Sequence, residues 1–595
     1  MTNAMVLILI ALRYIEAGHA STTIPGIAFA VAMYIAHASS MAMVLWLPAL
    51  LTAFVWPQRH VVVTVAVAIG TGITALLFAD TVVFQQYRFH INSALLALFF
   101  SDASAETFEF SIRMKLEMGG LLVSILLGQY LLAHLVWIGV QRTRYRSYGY
   151  VLATILVVVF IGTNLFHAYA DATGDVTITR QTRLLPLFEP LTARGFLKDH
   201  GFDIAERPQT PTISNNGSFD YPRQPLSLHE PDKKPNIVII AIDSWRFDAM
   251  TKDITPNIYS FAQDNIYFKQ HFSGGNATRM GIFTLFYGIP GPYWFSALET
   301  RTRSALIERL DDLDYQFGIY RSAALTSPEF DRTVFAGMHG LRMRSEGQSS
   351  PQRDIDATQD FLNFLDERDS RQPFFGFVFY DSPHAYDLPD EAPMPFQPSW
   401  ESVNFLALDQ DTNPVPFFNL YKNSVHFVDG LVGKILAGLH AKDLMDDTIV
   451  IITGDHGQEF NDTGLGFWGH NSNYSRYQTK VPFIVHWPGK MSKRINYFTS
   501  HFDVAATIMK RLLGVDNAFH ATSVGHDLFD NESRLPIIMA KYRGYAAYTG
   551  ERFIVFPLIS GVEVRGTDYR LINDASPSGR VIRKVLAQLS LFRSD

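Results

Sequence analysis

Residues 236–246 read NIVIIAIDSWR, and residues 448–460 read TIVIITGDHGQEF. Each opens with a short, unbroken apolar run and ends abruptly in acidic or imidazole side chains. A continuous run, rather than an alternating one, is how a strand reads when both of its faces are covered, as in the middle of a parallel sheet. FFGFVFY from Phe374 and VPFIVHW from Val481 repeat the pattern. Between such runs lie amphipathic stretches such as Tyr421–Leu444, where Val425, Val428, Leu431, Ile435 and Leu439 recur at helical spacing. The expectation is an α/β domain with a doubly wound sheet whose central strands are parallel.

In such sheets the working residues collect beyond the carboxyl ends of the strands. Asp243 follows the first run, and Asp455 and His456 follow the second. The segment GGNATRMG places Thr278 near a predicted helix start. Two carboxylates, an imidazole and a hydroxyl form a nitrogen and oxygen set suited to Zn²⁺, Mn²⁺ or Mg²⁺. One divalent ion there would lower the pKa of the Thr278 hydroxyl and polarise a phosphoryl group. Singly, such residues more often cap helices or make surface hydrogen bonds.

Outward from this core the 595-residue chain changes character. The long apolar runs fall in the first ~170 residues, in the manner of a membrane protein. A net charge of -7 gives no reason to expect nucleic acid, and 0 cysteines exclude disulfides and thiolate metal sites. A span needs roughly 20 apolar residues. Ile27–Val55, Val61–Phe84, Met118–Val140 and Tyr148–Ala170 meet that, while Met5–Leu12, stopped by Arg13, reads as a short first span, with a segment lying in the interface as the alternative and no basic n-region of a signal peptide before it. Basic residues favour cytoplasmic loops, so Arg59, Arg142, Arg144 and Arg146 place two loops inside. Gln85–Glu117 and everything after Ala170 then face outward, with five spans. Within the spans, Asp80 and His37 are the polar residues that need explanation; Asp80 reads as an interfacial carboxylate meeting water or a neighbour. The organisation expected is 1–175 transmembrane, 176–235 junction and linker, and 236–595 extracytoplasmic.

The junction interleaves Arg180, Arg183, Arg194 and Lys198 with Leu184, Leu187, Phe188 and Phe196. Basic and apolar residues mixed at a membrane exit suit anionic lipid headgroups. A plain connector packing on the bilayer or the domain reads equally well. Pro208–Pro235, rich in Pro, Ser and Asn without periodicity, reads as a flexible linker.

The ordered series NIVIIAIDSWR, Thr278 in its Gly-rich turn, SPH at Ser382–His384, TGDHGQEF, WGH at Trp468–His470, VPFIVHWPG and SHFDVAATIMKRLLG resembles the alkaline phosphatase/sulfatase superfamily. It is most similar to membrane-tethered members with a threonine nucleophile, such as lipoteichoic acid synthases and lipid A phosphoethanolamine transferases. The resemblance implies Asp243, Asp455 and His456 as metal ligands and Thr278 as nucleophile and fourth ligand. It also implies that His384 and His470 line the substrate phosphate or assist the leaving group. Sulfate ester hydrolysis is not expected, because the formylglycine position is Thr278 and the residue four later is Ile282 rather than arginine. Arg246 and Asp248 read as residues that orient the first turn, and His501 and Asp503 as a helix start.

FADTVVFQQYRFHIN, TRQTRLLPLFEPLTARGFLKDHG, GIFTLFYGI and HWPGKMSKRINYFTSHFD extend the likeness over nearly the whole chain, to the inner-membrane YejM (PbgA) family of Gram-negative bacteria. That resemblance implies lipopolysaccharide or lipid A sensing in outer-membrane lipid homeostasis, with a cytoplasm-facing membrane partner that controls lipid A synthesis. Two classes stay open: an enzyme forming a phosphothreonine on a lipid phosphate, and a sensor that keeps the fold as a scaffold. Cardiolipin delivery is a further alternative. The retained ligand set favours the enzyme, and the whole-chain likeness favours the sensor.

Overall fold

The computed structural model describes residues 2–18, 23–92, 95–96, 99–100, 112–142, 147–201, 204, 218–542, 544–557, 561–572 and 575–594. The N-terminal part is helical: α1 (Thr2–Gly18), α2 (Ile24–Leu45), α3 (Leu47–Val55), α4 (Arg59–Tyr87), α5 (Ile112–Arg142) and α6 (Ser147–Thr173). Four segments are long and apolar enough to cross a membrane: Ile24–Val55, Arg59–Tyr87, Ile112–Gly139 and Val151–Thr173. The apolar part of α1, Thr2–Ile15, is shorter. It nevertheless belongs to the bundle, with Leu7, Ala11 and Tyr14 buried against the helices around it. The expected span Ile27–Val55 is two helices meeting at Trp46. Pro48 explains the break, since its ring lacks an N–H and crowds the carbonyl of the preceding turn.

Asp80 is buried near the end of α4 and fully engaged. It accepts hydrogen bonds from Tyr14 Oη at 2.5 Å, His90 Nδ1 at 2.6 Å and the Ile91 amide at 2.5 Å. His37 Nε2 lies 2.8 Å from the Pro186 carbonyl. Asp80 and His37 therefore tie the bundle to the segments that leave it, which is how a buried polar group avoids its desolvation cost.

The second part is built on a seven-stranded sheet. Its strands are β1 (Asn236–Ile242), β2 (Ile266–Phe272), β3 (Gln316–Arg321), β4 (Phe374–Tyr380), β5 (Thr448–Gly454), β6 (Phe483–His486) and β7 (Lys493–Ser500), in the order β7-β2-β6-β5-β1-β4-β3. Along β1, Ile237, Ile239 and Ala241 enter one apolar core and Val238, Ile240 and Ile242 the other. Two covered faces are why the run is continuous. β1, β4 and β5 are parallel as expected, but β6 runs antiparallel to both β2 and β5. No long crossover helix separates β5 from β6, only the short helix Arg476–Thr479, so the chain re-enters from the end at which β5 leaves. An apolar run alone cannot report that direction.

A four-stranded antiparallel sheet follows, of β8 (Ile537–Ala540), β9 (Tyr545–Tyr548), β10 (Phe553–Phe556) and β11 (Glu563–Arg565). The expected flexible linker is a correction in its second half. Ser218–Phe219 pairs with Arg593–Ser594, Tyr221 is buried in the core with its hydroxyl 3.1 Å from the Tyr287 carbonyl, and Leu228 bridges Val515. Aromatic anchors outweigh the Pro and Ser composition there. Its first half, Pro208 to Gly217, lies outside the described residues.

Candidate metal and phosphoryl-transfer site

Ile242, at the end of the central strand, is in register with Gly454 of β5 on one side and Tyr380 of β4 on the other. Asp243 and Asp455 therefore emerge side by side, about one strand spacing apart. Thr278 arrives from across the sheet: β2 leads through Gly274 and Gly275 into helix α7 (Thr278–Tyr287), with Thr278 at its first position. α7 rests directly on the β5 end, because a Cβ on Gly281 would run into the Asp455 carbonyl. Thr278 also sits at the positive end of a helix dipole, which favours an anion beside it.

Thr278 Oγ1 donates to Asp243 Oδ2 at 3.2 Å and lies 3.3 Å from His456 Nε2. Asp455 Oδ1 accepts from the amides of Ser244 at 2.9 Å and His456 at 2.7 Å. Its Oδ2 is buried with no hydrogen-bond partner, 3.4 Å from His456 Nε2. Burial, with the Asp243 carboxylate beside it, pushes Asp455 upward. Burial brings His456 down to about 4, so the ring is neutral. Its Nδ1 carries the proton, donated to the Gly457 carbonyl at 2.9 Å, which turns the Nε2 lone pair toward Thr278 and the carboxylates.

A buried, unpartnered carboxylate oxygen, a second carboxylate and an imidazole lone pair meet within 4.8 Å of one another. Such a group lacks only a cation: burying like charges together is unfavourable unless something positive lies between them. Asp243, Asp455 and His456 thus fit a divalent ion, with Thr278 at the open side. The expected four come together.

His470 and His384 close the same pocket. The His470 ring centroid is 4.5 Å from that of His456 and 5.1 Å from that of His384. His470 Nδ1 faces Gln458 Oε1 at 2.8 Å, and His384 Nδ1 lies 3.7 Å from Asp381 Oδ1. Arg246, by contrast, is buried and spent on structure. It binds both oxygens of Asp248 and of Asp462 and the Gln458 carbonyl, joining the turn after β1 to the loop after β5. Asp503 closes a capping box with Ser500 and pairs with Arg534 at 2.9 Å, and His501 Nδ1 is 3.2 Å from the Gly281 carbonyl. Gln458 and Ser244, which hold His470 and Asp455, carry no signal in the sequence that marks them as site residues.

At the junction the four basic residues are not equivalent. Arg183 pairs with Glu563 of β11 at 3.0 Å, and Arg194 Nη1 donates to the Asp171 carbonyl at 2.5 Å. Arg180 is half-buried near the same carboxylate, whereas Lys198 is exposed. Leu184 faces inward into the bundle core and Phe188 packs beside it, while Leu187, Leu191 and Phe196 are exposed. Glu563, Arg565 and Lys541, the last brought down to about 8 by burial and by Arg183 nearby, complete a charged cluster that the linear sequence does not assemble.

Residues 1–228 match the family described as a domain of unknown function, DUF3413, and residues 235–515 match the Sulfatase family. The chain is 30% identical over 539 residues to the inner membrane protein YejM of Salmonella typhimurium, covering 89% of this chain and 84% of that protein. It is 26% identical over 482 residues to an uncharacterized protein of Haemophilus influenzae, covering 80% and 74%. Among solved structures, the lipoteichoic acid synthase LtaP of Listeria monocytogenes superposes with a TM-score of 0.44 at 17% identity, covering 62% of this chain and 94% of that one. Two adjoining family matches and a shared identity that runs from the helical bundle into the sheet domain place the whole chain, not only its hydrolase-like part, in the family of the inner membrane protein YejM.

Proposed function

We propose that this inner-membrane protein serves outer-membrane lipid homeostasis by recognising lipid A or another anionic lipid phosphate at its junction, and that its sheet domain keeps a metal-dependent phosphatase-type site. The single observation that carries the chemical part is the placing of Thr278 Oγ1 3.2 Å from Asp243 and 3.3 Å from His456 on a floor of buried ligands. A divalent cation held by Asp243, Asp455 and His456 would stabilise the Thr278 alkoxide and offset phosphoryl charge.

The chain's own residues supply the rest. Thr278 Oγ attacks phosphorus as its hydroxyl proton leaves on the Asp243 side, and the bond from phosphorus to the ester oxygen breaks. The departing alkoxide takes a proton from His384, the more open imidazole and the one beside a carboxylate. Water then attacks the phosphorus of the phosphothreonine and gives its proton to His470 Nε2, because Nδ1–H is already committed to Gln458; the bond from phosphorus to Thr278 Oγ breaks, Thr278 regains its proton from the Asp243 side and phosphate departs. A lipid hydroxyl in place of water would make the reaction a transfer.

The regulatory part rests on the resemblance to YejM proteins over most of the chain and on the mixed basic and apolar junction. In this reading the sheet domain is periplasmic, and the bundle passes the lipid-bound state to a cytoplasm-facing membrane partner. The test of the site is metal content and p-nitrophenyl phosphate turnover of the purified full-length protein. Asp455→Asn should lower divalent occupancy. Thr278→Ala should retain part of the metal and lose turnover by at least about a thousandfold. Wild-type protein that binds no Zn²⁺, Mn²⁺ or Mg²⁺ at micromolar concentrations would leave only the scaffold reading.

A further inference from the structure

The helical bundle reaches into the hydrolase-like pocket. α4 ends at Tyr87, and the Tyr87 ring stands edge-on to His470 with centroids 6.4 Å apart. The next residue, Arg88, has φ 56°, a left-handed conformation that costs a non-glycine residue on the order of 1 kcal/mol or more. Such strain persists only where surrounding contacts impose it. Here Arg88 Nη2 donates to the Leu465 carbonyl at 3.1 Å and the Gly466 carbonyl at 2.6 Å, and the guanidinium lies over the Phe467 ring at 4.6 Å. Charge-assisted bonds to two successive carbonyls fix a loop more firmly than neutral ones.

That loop is the tip of the hairpin in which Glu459–Phe460 pairs with Trp468–Gly469, and His470 follows at once. Asn461, Gly464, Gly466 and Gly469 all have positive φ, so it turns repeatedly; Asn461 braces its base through the Phe467 carbonyl and the Gly466 amide, and Arg88 takes the two carbonyls at its tip. A second tie comes from the same side of the bundle: Asn404 Nδ2 donates to Glu117 of α5 at 3.1 Å.

We propose that the end of α4 is a working part of the pocket, with Arg88 the positioning residue for the His470 loop and Tyr87 a wall of the site. The site is then complete only when the sheet domain is docked on the bundle, and it takes a phosphate ester borne by a lipid of the same bilayer. The substrate clause rests on the phosphatase-type reading above; the positioning clause does not. Where α4 leaves the bilayer, its last residue meets His470, which stacks toward His456 and so toward Thr278. A headgroup phosphate beside Tyr87 would be adjacent to the nucleophile, whereas a soluble ester has no such guide.

The test uses the full chain in nanodiscs of phosphatidylethanolamine and phosphatidylglycerol, loaded with Zn²⁺ or Mn²⁺. Hydrogen exchange over residues 459–470 is compared for wild type, Arg88→Ala, Arg88→Lys and Tyr87→Ala. Arg88→Ala should raise exchange in that hairpin at least tenfold while β1 and β5 stay protected, and Arg88→Lys should recover part of the loss. Unchanged hairpin exchange in Arg88→Ala overturns the positioning role, whether or not the protein turns anything over. The second arm follows Thr278-dependent release of diacylglycerol from the nanodisc lipid beside hydrolysis of p-nitrophenyl phosphate. Tyr87→Ala should cut lipid turnover at least tenfold more than p-nitrophenyl phosphate turnover, with Tyr87→Phe between it and wild type. Equal losses on both substrates overturn the wall role. Absence of Thr278-dependent turnover of either substrate in wild type overturns the phosphatase reading and the substrate clause with it, leaving the exchange result to decide the rest.

Discussion

Arg183 and Glu563 form an ion pair, with Arg183 Nη2 3.0 Å from Glu563 Oε1, between a residue just past the last membrane helix and the final strand of the antiparallel sheet. Glu563 also accepts from Arg565 Nη2 at 2.6 Å. Burial alone would raise this carboxyl, yet Arg565 and Arg183 hold it down to about 2 from an ordinary 4.5. The junction is therefore fastened to the sheet domain by a buried charge, not only by chain connectivity.

Glu563→Gln should loosen that fastening. A depressed carboxyl contributes stability that is present above its unfolded pKa and lost as pH falls through the folded value, here between about 4.5 and about 2. The shift corresponds to on the order of 3 kcal/mol. The thermal midpoint of Glu563→Gln should lie several degrees below wild type at pH 7, and the gap should close as pH falls through that window. A gap that stays constant down to pH 3 would assign the loss to packing instead of charge.

Gly281→Ala tests how tightly the helix that carries Thr278 is seated. The added methyl would meet the Asp455 backbone carbonyl, which cannot move without carrying the ligand with it. Overpacking of this kind costs about 1–3 kcal/mol. Divalent affinity, measured by titration calorimetry, should fall at least tenfold while the helical content of the protein is unchanged. Wild-type affinity in Gly281→Ala would mean that α7 and the β5 end shift independently.

Much of this candidate site was legible because Asp243, Asp455 and His456 follow the ends of unbroken apolar runs, where a parallel sheet gathers such residues. Asp243, Thr278, Asp455 and His456 meet as the order of motifs implied. What one-dimensional reading missed depends on direction and on long-range pairing. β6 has the composition of a parallel strand and the opposite sense, since apolar patterning reports burial and not polarity of the chain. Pro222 and the serines near it suggested a flexible linker, but Tyr221 packs against Tyr287 and Phe592 far along the chain. Glu563 and Arg88 act through partners hundreds of residues away, and Gln458 through His470 across a hairpin, and nothing in their neighbours announces it. The expected inward loop is testable only in part: Arg59 lies near His134 and Trp137, while Arg144 and Arg146 fall outside the described residues.

The orientation expected from Arg59, Arg142, Arg144 and Arg146 has a direct consequence. The end of α4 and the start of α5 contact the sheet domain, through Arg88 with Gly466 and Glu117 with Asn404. Reporter fusions after Phe84 and after Ala170 must therefore give the same answer, and that answer should be periplasm. A cytoplasmic signal from the sheet domain would reverse the topology, and with it any reading in which lipid of the outer leaflet is recognised.

In the proposed lipid recognition, the junction cations would not contribute alike. Arg194 is held by the Asp171 carbonyl at 2.5 Å and sits beside the exposed Phe196, so its guanidinium is oriented before any ligand arrives. Lys198, exposed one turn further along the same short helix, carries a compact point charge. Arginine presents a planar pair of donors, so Arg194→Lys should weaken a specific phosphate contact while keeping the charge. Lys198→Ala should instead remove only a screened attraction of about 1 kcal/mol, visible at low salt and faint at high salt. Binding of lipid A, cardiolipin and phosphatidylcholine to full-length protein in detergent, at two salt concentrations, separates the two effects. For Arg194→Lys the expected outcome is a loss for lipid A of roughly tenfold that persists at high salt. Equal affinity for all three lipids, or a loss in Arg194→Lys that salt abolishes, would reduce the junction to adhesion on an anionic surface and leave the Thr278 pocket as the remaining candidate site for a lipid phosphate.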